Sequence, residues 1–304
     1  MRWSTIRRAM ALGVVLLGVA FLWLGGLTSA RAQQDDWSRQ TTPAPGPARA
    51  IGTYTEGCLS GAVALPLHGA GYTVLRPQRL RYFGHPHLIA VVRDLAAWAD
   101  ANGWGTLLVG DLSQPRGGPM SFGHASHEIG LDADIWLRLL PPGQRLSPED
   151  RDDPTPVSMV RPGAGTADPT RWTATHSALV RAAAQDPRVA RIFVNPAIKA
   201  TLCDAFPADE PEDAAWLRKV RPWYGHDSHM HLRLSCPTDS PSCREQDPVP
   251  PGTGCDPPTF AWWAEQIAAR QAAQADTTPP PARPPVARPP QSVPPDCSAV
   301  LSAR

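Results

Sequence analysis

Thirty-six prolines among 304 residues set the first limit on what this chain can fold into. Each proline fixes φ and removes a backbone donor, so neither long helices nor central strands tolerate many of them. At more than twice the usual share of about 5%, they argue against an all-helical bundle, a coiled coil or a polytopic membrane protein. Nine of them fall between Thr277 and Cys297, including Pro279-Pro280-Pro281 and three further Pro-Pro pairs. That stretch cannot pack a core and reads as extended polyproline II. Its commoner role is a spacer, the rarer one a docking site for a Pro-reading module. Residues 271–304 are therefore set apart as a Pro-rich C-terminal tail, which Cys297 would pin back onto the body through a disulfide.

Residues 1–32 read as an export signal: Arg2, Arg7 and Arg8 precede an apolar run from Ala9 to Leu27, and Ala30-Arg31-Ala32 offers a peptidase site. The apolar run approaches bilayer-spanning length, so a retained anchor is the rival reading; the polar segment that follows favours cleavage. Cleavage removes four arginines and no acid, leaving 25 basic against 28 acidic side chains. A mature chain of that charge has no electrostatic case for nucleic acid or anionic lipid, and no later stretch suits membrane insertion. Residues 33–50, polar and rich in Pro and Ala, read as a flexible tether.

Export gives the cysteines their meaning. Cys58, Cys203, Cys236, Cys243, Cys255 and Cys297 are an even set in an oxidising compartment. Spacing alone selects none of the roughly 15 pairings, although Cys236 and Cys243 are close enough for a local loop. A Cys-rich zinc site is disfavoured because no C-x2-C pair occurs.

From about Ile51 to Arg270, apolar periodic stretches alternate with Gly/Pro punctuation, as in one globular domain. Helical spacing of Leu88, Val91, Val92, Leu95 and Trp98 predicts a helix over 87–101, ended by Asn102-Gly103. Further helices are predicted over 176–185, from Asn195-Pro196 to about Cys203, and over 213–220. Residues 106–112 and 189–194 read as strands. The expected class is α+β, with an antiparallel sheet carrying the functional strands, helices packed on its other side, and long loops restrained by disulfides.

The nine histidines are clustered. In His229-Met230-His231-Leu232-Arg233-Leu234, period-two alternation puts His229, His231 and Arg233 on one face and the apolar residues on the other. Two imidazoles on one strand face suit one metal ligand and one general base. Alone, H-x-H is weak and also fits a surface strand. A second alternating stretch places Asp132, Asp134 and Trp136 on a polar face, with His127 seven residues before Asp134. His127, one of these carboxylates and a histidine of the H-x-H strand would give three N/O ligands and an open fourth position, the pattern of a catalytic zinc. Asp132 competes with Asp134 for that place, and for either carboxylate the structural alternative is a buried ion pair with Arg116.

The spacing H-x6-D followed by a distant H-x-H resembles the metallopeptidases that include lysostaphin, the D-Ala-D-Ala carboxypeptidases and the hedgehog signalling domain. The longer strings SQPRGGPMSFGHASHEIGLDADIWL, RIFVNPAIK and WLRKVRPWYGHDSHMHLRL narrow this resemblance to the penicillin-insensitive murein endopeptidase family, peptidase family M74, over residues 51–297. The resemblance implies a periplasmic zinc hydrolase that cuts D-alanyl–meso-diaminopimelyl cross-links in peptidoglycan. It implies His127, Asp134 and His231 as zinc ligands, His124 beside the metal, His229 as base and His226 as a further active-site histidine. It also implies the pairings Cys58–Cys297, Cys203–Cys255 and Cys236–Cys243. The segment equivalent to 150–174 lacks the acid-plus-His arrangement that other members carry, so one metal site is expected and a second is not. Two rival functions stand beside this one: a D,D- or L,D-carboxypeptidase or amidase on the same scaffold, and a silent cell-wall-binding protein.

Overall fold

A computed structural model describes residues 36–206, 210–275 and 293–304. The expected export signal and most of the Pro-rich run lie outside the described residues. Eleven strands are described: β1 (Arg49–Thr53), β2 (Glu56–Ser60), β3 (Val63–Ala64), β4 (His68–Gly69), β5 (Tyr72–Val74), β6 (Phe83–Gly84), β7 (Thr106–Val109), β8 (Asp132–Leu140), β9 (Val189–Val194), β10 (Val220–Pro222) and β11 (His229–Leu234). The helices are α1 (Pro86–Ala101), α2 (Pro148–Asp152), α3 (Ala174–Gln185), α4 (Pro196–Ala205), α5 (Pro211–Lys219), α6 (Pro257–Ala275) and α7 (Asp296–Ser302).

Seven strands form one sheet in the order β10-β9-β11-β8-β7-β5-β4, and β1-β2 and β3-β6 pair as small separate ladders. The class is α+β, as expected, but the sheet is mixed. Its four central strands are antiparallel neighbours, whereas β10 runs parallel to β9 and β5 parallel to β7. The parallel additions are three-residue strands, too short to leave a periodic signature.

Proline and capping residues decide where the helices begin. His85 opens α1 by accepting from His87 N, and Asn195 opens α4 by accepting from Ala197 N at 2.9 Å, each with Pro at the first helical position. Leu88, Val91, Val92, Leu95 and Ala99 of α1 then face the core with Leu107, Val109, Ala133, Ile135, Met230 and Leu232 from the sheet. The sheet thus has one apolar face under helices and one polar face, which holds the histidines.

Residues 36–50 depart from the expected tether. Trp37 and Ala44 are buried and pack with Cys58, Cys297 and Val300 in a second apolar cluster. Gly118, at φ 77°, lies flat beneath the Trp37 ring, which an added Cβ would strike. A large indole buried this way makes the N-terminal segment part of the body. The disulfides are Cys58–Cys297, Cys203–Cys255 and Cys236–Cys243, so α7 is tied to β2 and the start of α6 to α4. Among the described residues no helix is long and apolar enough to cross a membrane.

Candidate metal centre and active site

The site is assembled by the register of two neighbouring strands. β11 pairs antiparallel with β8, setting His231 opposite Asp134, Arg233 opposite Asp132 and His229 opposite Trp136. Directly opposed residues point to the same side of a sheet, so the two polar faces read from the sequence merge into one. Loops bring in the remaining candidates: His124 and His127 precede β8, and His226 precedes β11. All six expected site residues meet here. The ring centroids of His124 and His127 are 4.5 Å apart, those of His127 and His231 4.7 Å, and those of His226 and His229 4.9 Å.

Asp134 is the hub. Its Oδ1 lies 3.2 Å from His231 Nδ1, 3.5 Å from His127 Nε2 and 3.8 Å from His229 Nε2. Its Oδ2 lies 3.6 Å from His124 Nδ1. Burial pushes the Asp134 carboxyl up, but His229, His127 and His124 outweigh it and hold the group well below the usual carboxylate range. Despite these neighbours, Asp134 Oδ1, both ring nitrogens of His127 and His231 Nε2 are buried without a hydrogen-bond partner. His127 also sits at φ 71°, a left-handed backbone that an ordinary side chain adopts at a cost. Orphaned polar atoms and backbone strain in one place are costly for stability and typical of a functional site.

Two residues along the same strand, Asp132 is fully engaged. Arg233 grips it with Nε and Nη2 at 2.7 and 3.1 Å, and its Oδ2 accepts from His127 N at 3.0 Å. His231 Nε2 lies 3.1 Å from its Oδ1. Asp132 thus stands behind the His231 imidazole and the His127 backbone as an orienting carboxylate. The arginine that pairs with it is Arg233, which shares its face, and not Arg116. Arg116 is buried elsewhere, donating to the carbonyls of Thr42, Val300, Leu301 and Ala303. Burial lowers His231, but Asp132 and Asp134 more than offset this and raise it to about 9. The arrangement therefore draws positive charge into its centre.

Asp111, just past the end of β7, is a site residue that sequence reasoning missed. It accepts from Arg81 Nη1 at 2.8 Å and lies 3.0 Å from His124 Nε2, so His124 is held between Asp111 and Asp134. Burial raises Asp111, but His124 and Arg81 prevail and lower it to about 2. On the other side, His226 stands at φ 52° with Nδ1 3.0 Å from Tyr224 O. Burial, with His229 and His231 nearby, lowers His226 to about 4, so it is neutral at neutral pH. Tyr224 O can only accept, which assigns the hydrogen to Nδ1 and leaves Nε2 as an acceptor.

The donor set fits a divalent cation. Ligand atoms about 2.0–2.2 Å from a tetrahedral zinc stand about 3.3–3.6 Å apart. Asp134 Oδ1 has His231 Nδ1 at 3.2 Å and His127 Nε2 at 3.5 Å, and neither Asp134 Oδ1 nor His127 Nε2 is in a hydrogen bond that would explain the approach. His124, His127 and Asp134 also present ligand atoms within 4.8 Å of one another, which puts a second candidate donor on the outer oxygen of Asp134. Soft thiolate ligands are excluded because every cysteine is in a disulfide.

Comparison with known proteins agrees with this chemistry. Residues 50–302 match the family model for penicillin-insensitive murein endopeptidases. A protein of that name from Yersinia enterocolitica is 44% identical over 264 residues, 85% of this chain and 93% of the relative. One from Haemophilus influenzae is 44% identical over 250 residues, 81% of this chain and 85% of the relative. Another from Pectobacterium atrosepticum is 42% identical over 268 residues, 88% of this chain and 93% of the relative. The match runs through both strands of the candidate site, all six cysteines and α7, and on it the chain belongs to the penicillin-insensitive murein endopeptidases, a metallopeptidase family.

Proposed function

We propose that the protein is a periplasmic, zinc-dependent murein endopeptidase hydrolysing D-alanyl–meso-diaminopimelyl cross-links. The observation that carries this is the buried Asp134 Oδ1, which accepts no hydrogen bond although His127 Nε2 and His231 Nδ1 approach it, in a chain of this family. Three disulfides and the export signal read from residues 1–32 support the oxidising compartment.

His127, Asp134 and His231 would hold the ion, with His124 against the outer oxygen of Asp134. A bound zinc supplies Lewis-acid polarisation of the scissile carbonyl and lowers the pKa of a coordinated water from 15.7 to about 7. Asp132 keeps His231 in the orientation that turns Nδ1 inward, and Arg233 keeps Asp132 ionised. His229, whose Nε2 faces Asp134 from the open side, accepts the proton of the attacking water and returns it to the leaving amine. Desolvation lowers the pKa of His229, which keeps it unprotonated for that task. His226 presents a lone pair at Nε2 and so orients the water or a substrate N–H, a different task from stabilising the developing oxyanion, which needs a donor. No serine nucleophile takes part, so β-lactams should leave cleavage intact.

The test is metal stripping and reloading, followed by digestion of defined cross-linked muropeptide dimers and mass analysis. The endopeptidase yields monomers only after zinc is restored, with or without penicillin. Release of terminal D-alanine alone would assign a carboxypeptidase, and a chain that holds no stoichiometric metal and cuts nothing would be a wall-binding protein.

A further inference from the structure

Beyond the metal-facing residues, a row of aromatic rings leads out of the site to the surface. Phe193 of β9 is opposite His231, with ring centroids 5.4 Å apart, and Trp223 follows at 5.7 Å from Phe193. Trp263 of α6 lies 6.3 Å from Trp223, and Trp262 lies 4.8 Å from Trp263. The outer members are exposed, Trp223 by 53% and Trp262 by 52%. Arg270 already covers the ring of Tyr224 at 4.1 Å, so the uncovered faces belong to the two tryptophans. A soluble protein gains nothing in stability from two half-exposed indoles beside a catalytic centre, and such exposure marks a binding surface.

The platform is firmly placed. Trp223 N donates to Val194 O at 2.8 Å, fixing the start of the loop that ends in His226. Asn195 Nδ2 donates to Gly225 O and its backbone N to His226 O. The helix bearing Trp262 and Trp263 begins two residues after Cys255, which is bonded to Cys203 of α4. Both supports of the platform are thus anchored to the elements flanking β9.

We infer that Trp223 and Trp262 form a glycan-binding subsite that takes the N-acetylated amino-sugar strand from which the cross-linked peptide hangs. This rests on the proposed function, since a murein cross-link reaches the metal only with its glycan strand nearby. The chemistry favours a sugar over an apolar partner. The rings meet at steep angles, 62° between Trp223 and Trp263 and 84° between Trp262 and Trp263. Trp263, turned steeply to both, stands between the two exposed rings, which offer separate facets. A pyranose ring presents an apolar C–H face to the electron-rich face of an indole, while the indole N–H serves a hydroxyl or acetamido oxygen at the rim.

Two measurements on the full chain test this. First, peptide-free glycan strands, alternating N-acetylglucosamine and N-acetylmuramic acid, are titrated calorimetrically into the parent, Trp262→Ala, Trp223→Ala and Trp262→Phe. Binding should weaken about tenfold in each alanine variant and persist in Trp262→Phe. A parent that binds no strand, or alanine variants that bind as the parent does, overturns the inference. Second, cleavage is compared on dimeric muropeptides with and without their disaccharides. The alanine variants should lose about tenfold more efficiency on the sugar-bearing dimer, and equal losses on both would assign the rings to the peptide instead. Because the titration needs no turnover, a parent that binds strands yet cuts no cross-link refutes only the proposed activity. A parent that cuts but binds no strand refutes only the subsite.

Discussion

Asp132 and Asp134 are two residues apart on one strand face, equally buried, and physically opposite. Around Asp132 the polar groups pair: a two-pronged arginine and a backbone N–H account for both oxygens. Around Asp134, three imidazole nitrogens crowd one oxygen and none forms a hydrogen bond with it. A protein evolved for stability alone would contain only the first kind of rung. The contrast separates the rung that holds the fold together from the rung left unsatisfied at the candidate metal centre.

The comparison breaks most visibly at His127. His127→Leu should abolish metal uptake and cleavage, yet raise the stability of the metal-stripped protein by about 1–3 kcal/mol, because an unpaired buried imidazole is exchanged for an apolar side chain. Metal analysis and denaturant unfolding check both halves, and a destabilised variant would show that the site is not strained at all. Asp132→Asn should act in the reverse sense. It leaves Arg233 buried without its charge partner and should cost about 3–5 kcal/mol, with metal affinity reduced about 10–100-fold through the loss of orientation at His231.

A third closed cluster sharpens the contrast away from the metal. Arg116→Ala removes donors to Thr42, Val300, Leu301 and Ala303 and should cost about 2–3 kcal/mol without changing metal stoichiometry. The smallest effect concerns Asp111, whose folded pKa is lowered from 3.8 to about 2. A lowered carboxylate pKa contributes stability above its unfolded value, and this is lost as pH falls through the folded value. Asp111→Asn should therefore be less stable than the parent by about 2 kcal/mol near neutrality. The gap should close between about pH 4 and pH 2; a gap unchanged over that window would remove Asp111 from the electrostatics of His124.

What could be read in the sequence follows from the distance over which each signal acts. Period-two alternation assigned His229, His231, Asp132 and Asp134 to their face because side-chain direction in a strand is a local property. Register was not local, so the ion pair considered for either carboxylate named Arg116, whereas Asp132 pairs with Arg233, which shares its face. Asp111 had no periodic context, since its contact with His124 depends on where β7 ends in the folded sheet. Trp37 in a Pro/Ala-rich segment looked like part of a tether, because composition cannot show a pocket made by Gly118 and the far end of the chain.

The bond between Cys58 and Cys297 spans 239 residues, and α7 with Ala303 just beyond it supplies three of the four carbonyls that hold Arg116. Arg116 belongs to the segment that runs on to His124 and His127. The support of this segment is therefore incomplete until residues 296–303 have folded against it. For a murein endopeptidase that dependence is a safeguard: the cutting edge is set only after Cys297 and its helix have joined the body.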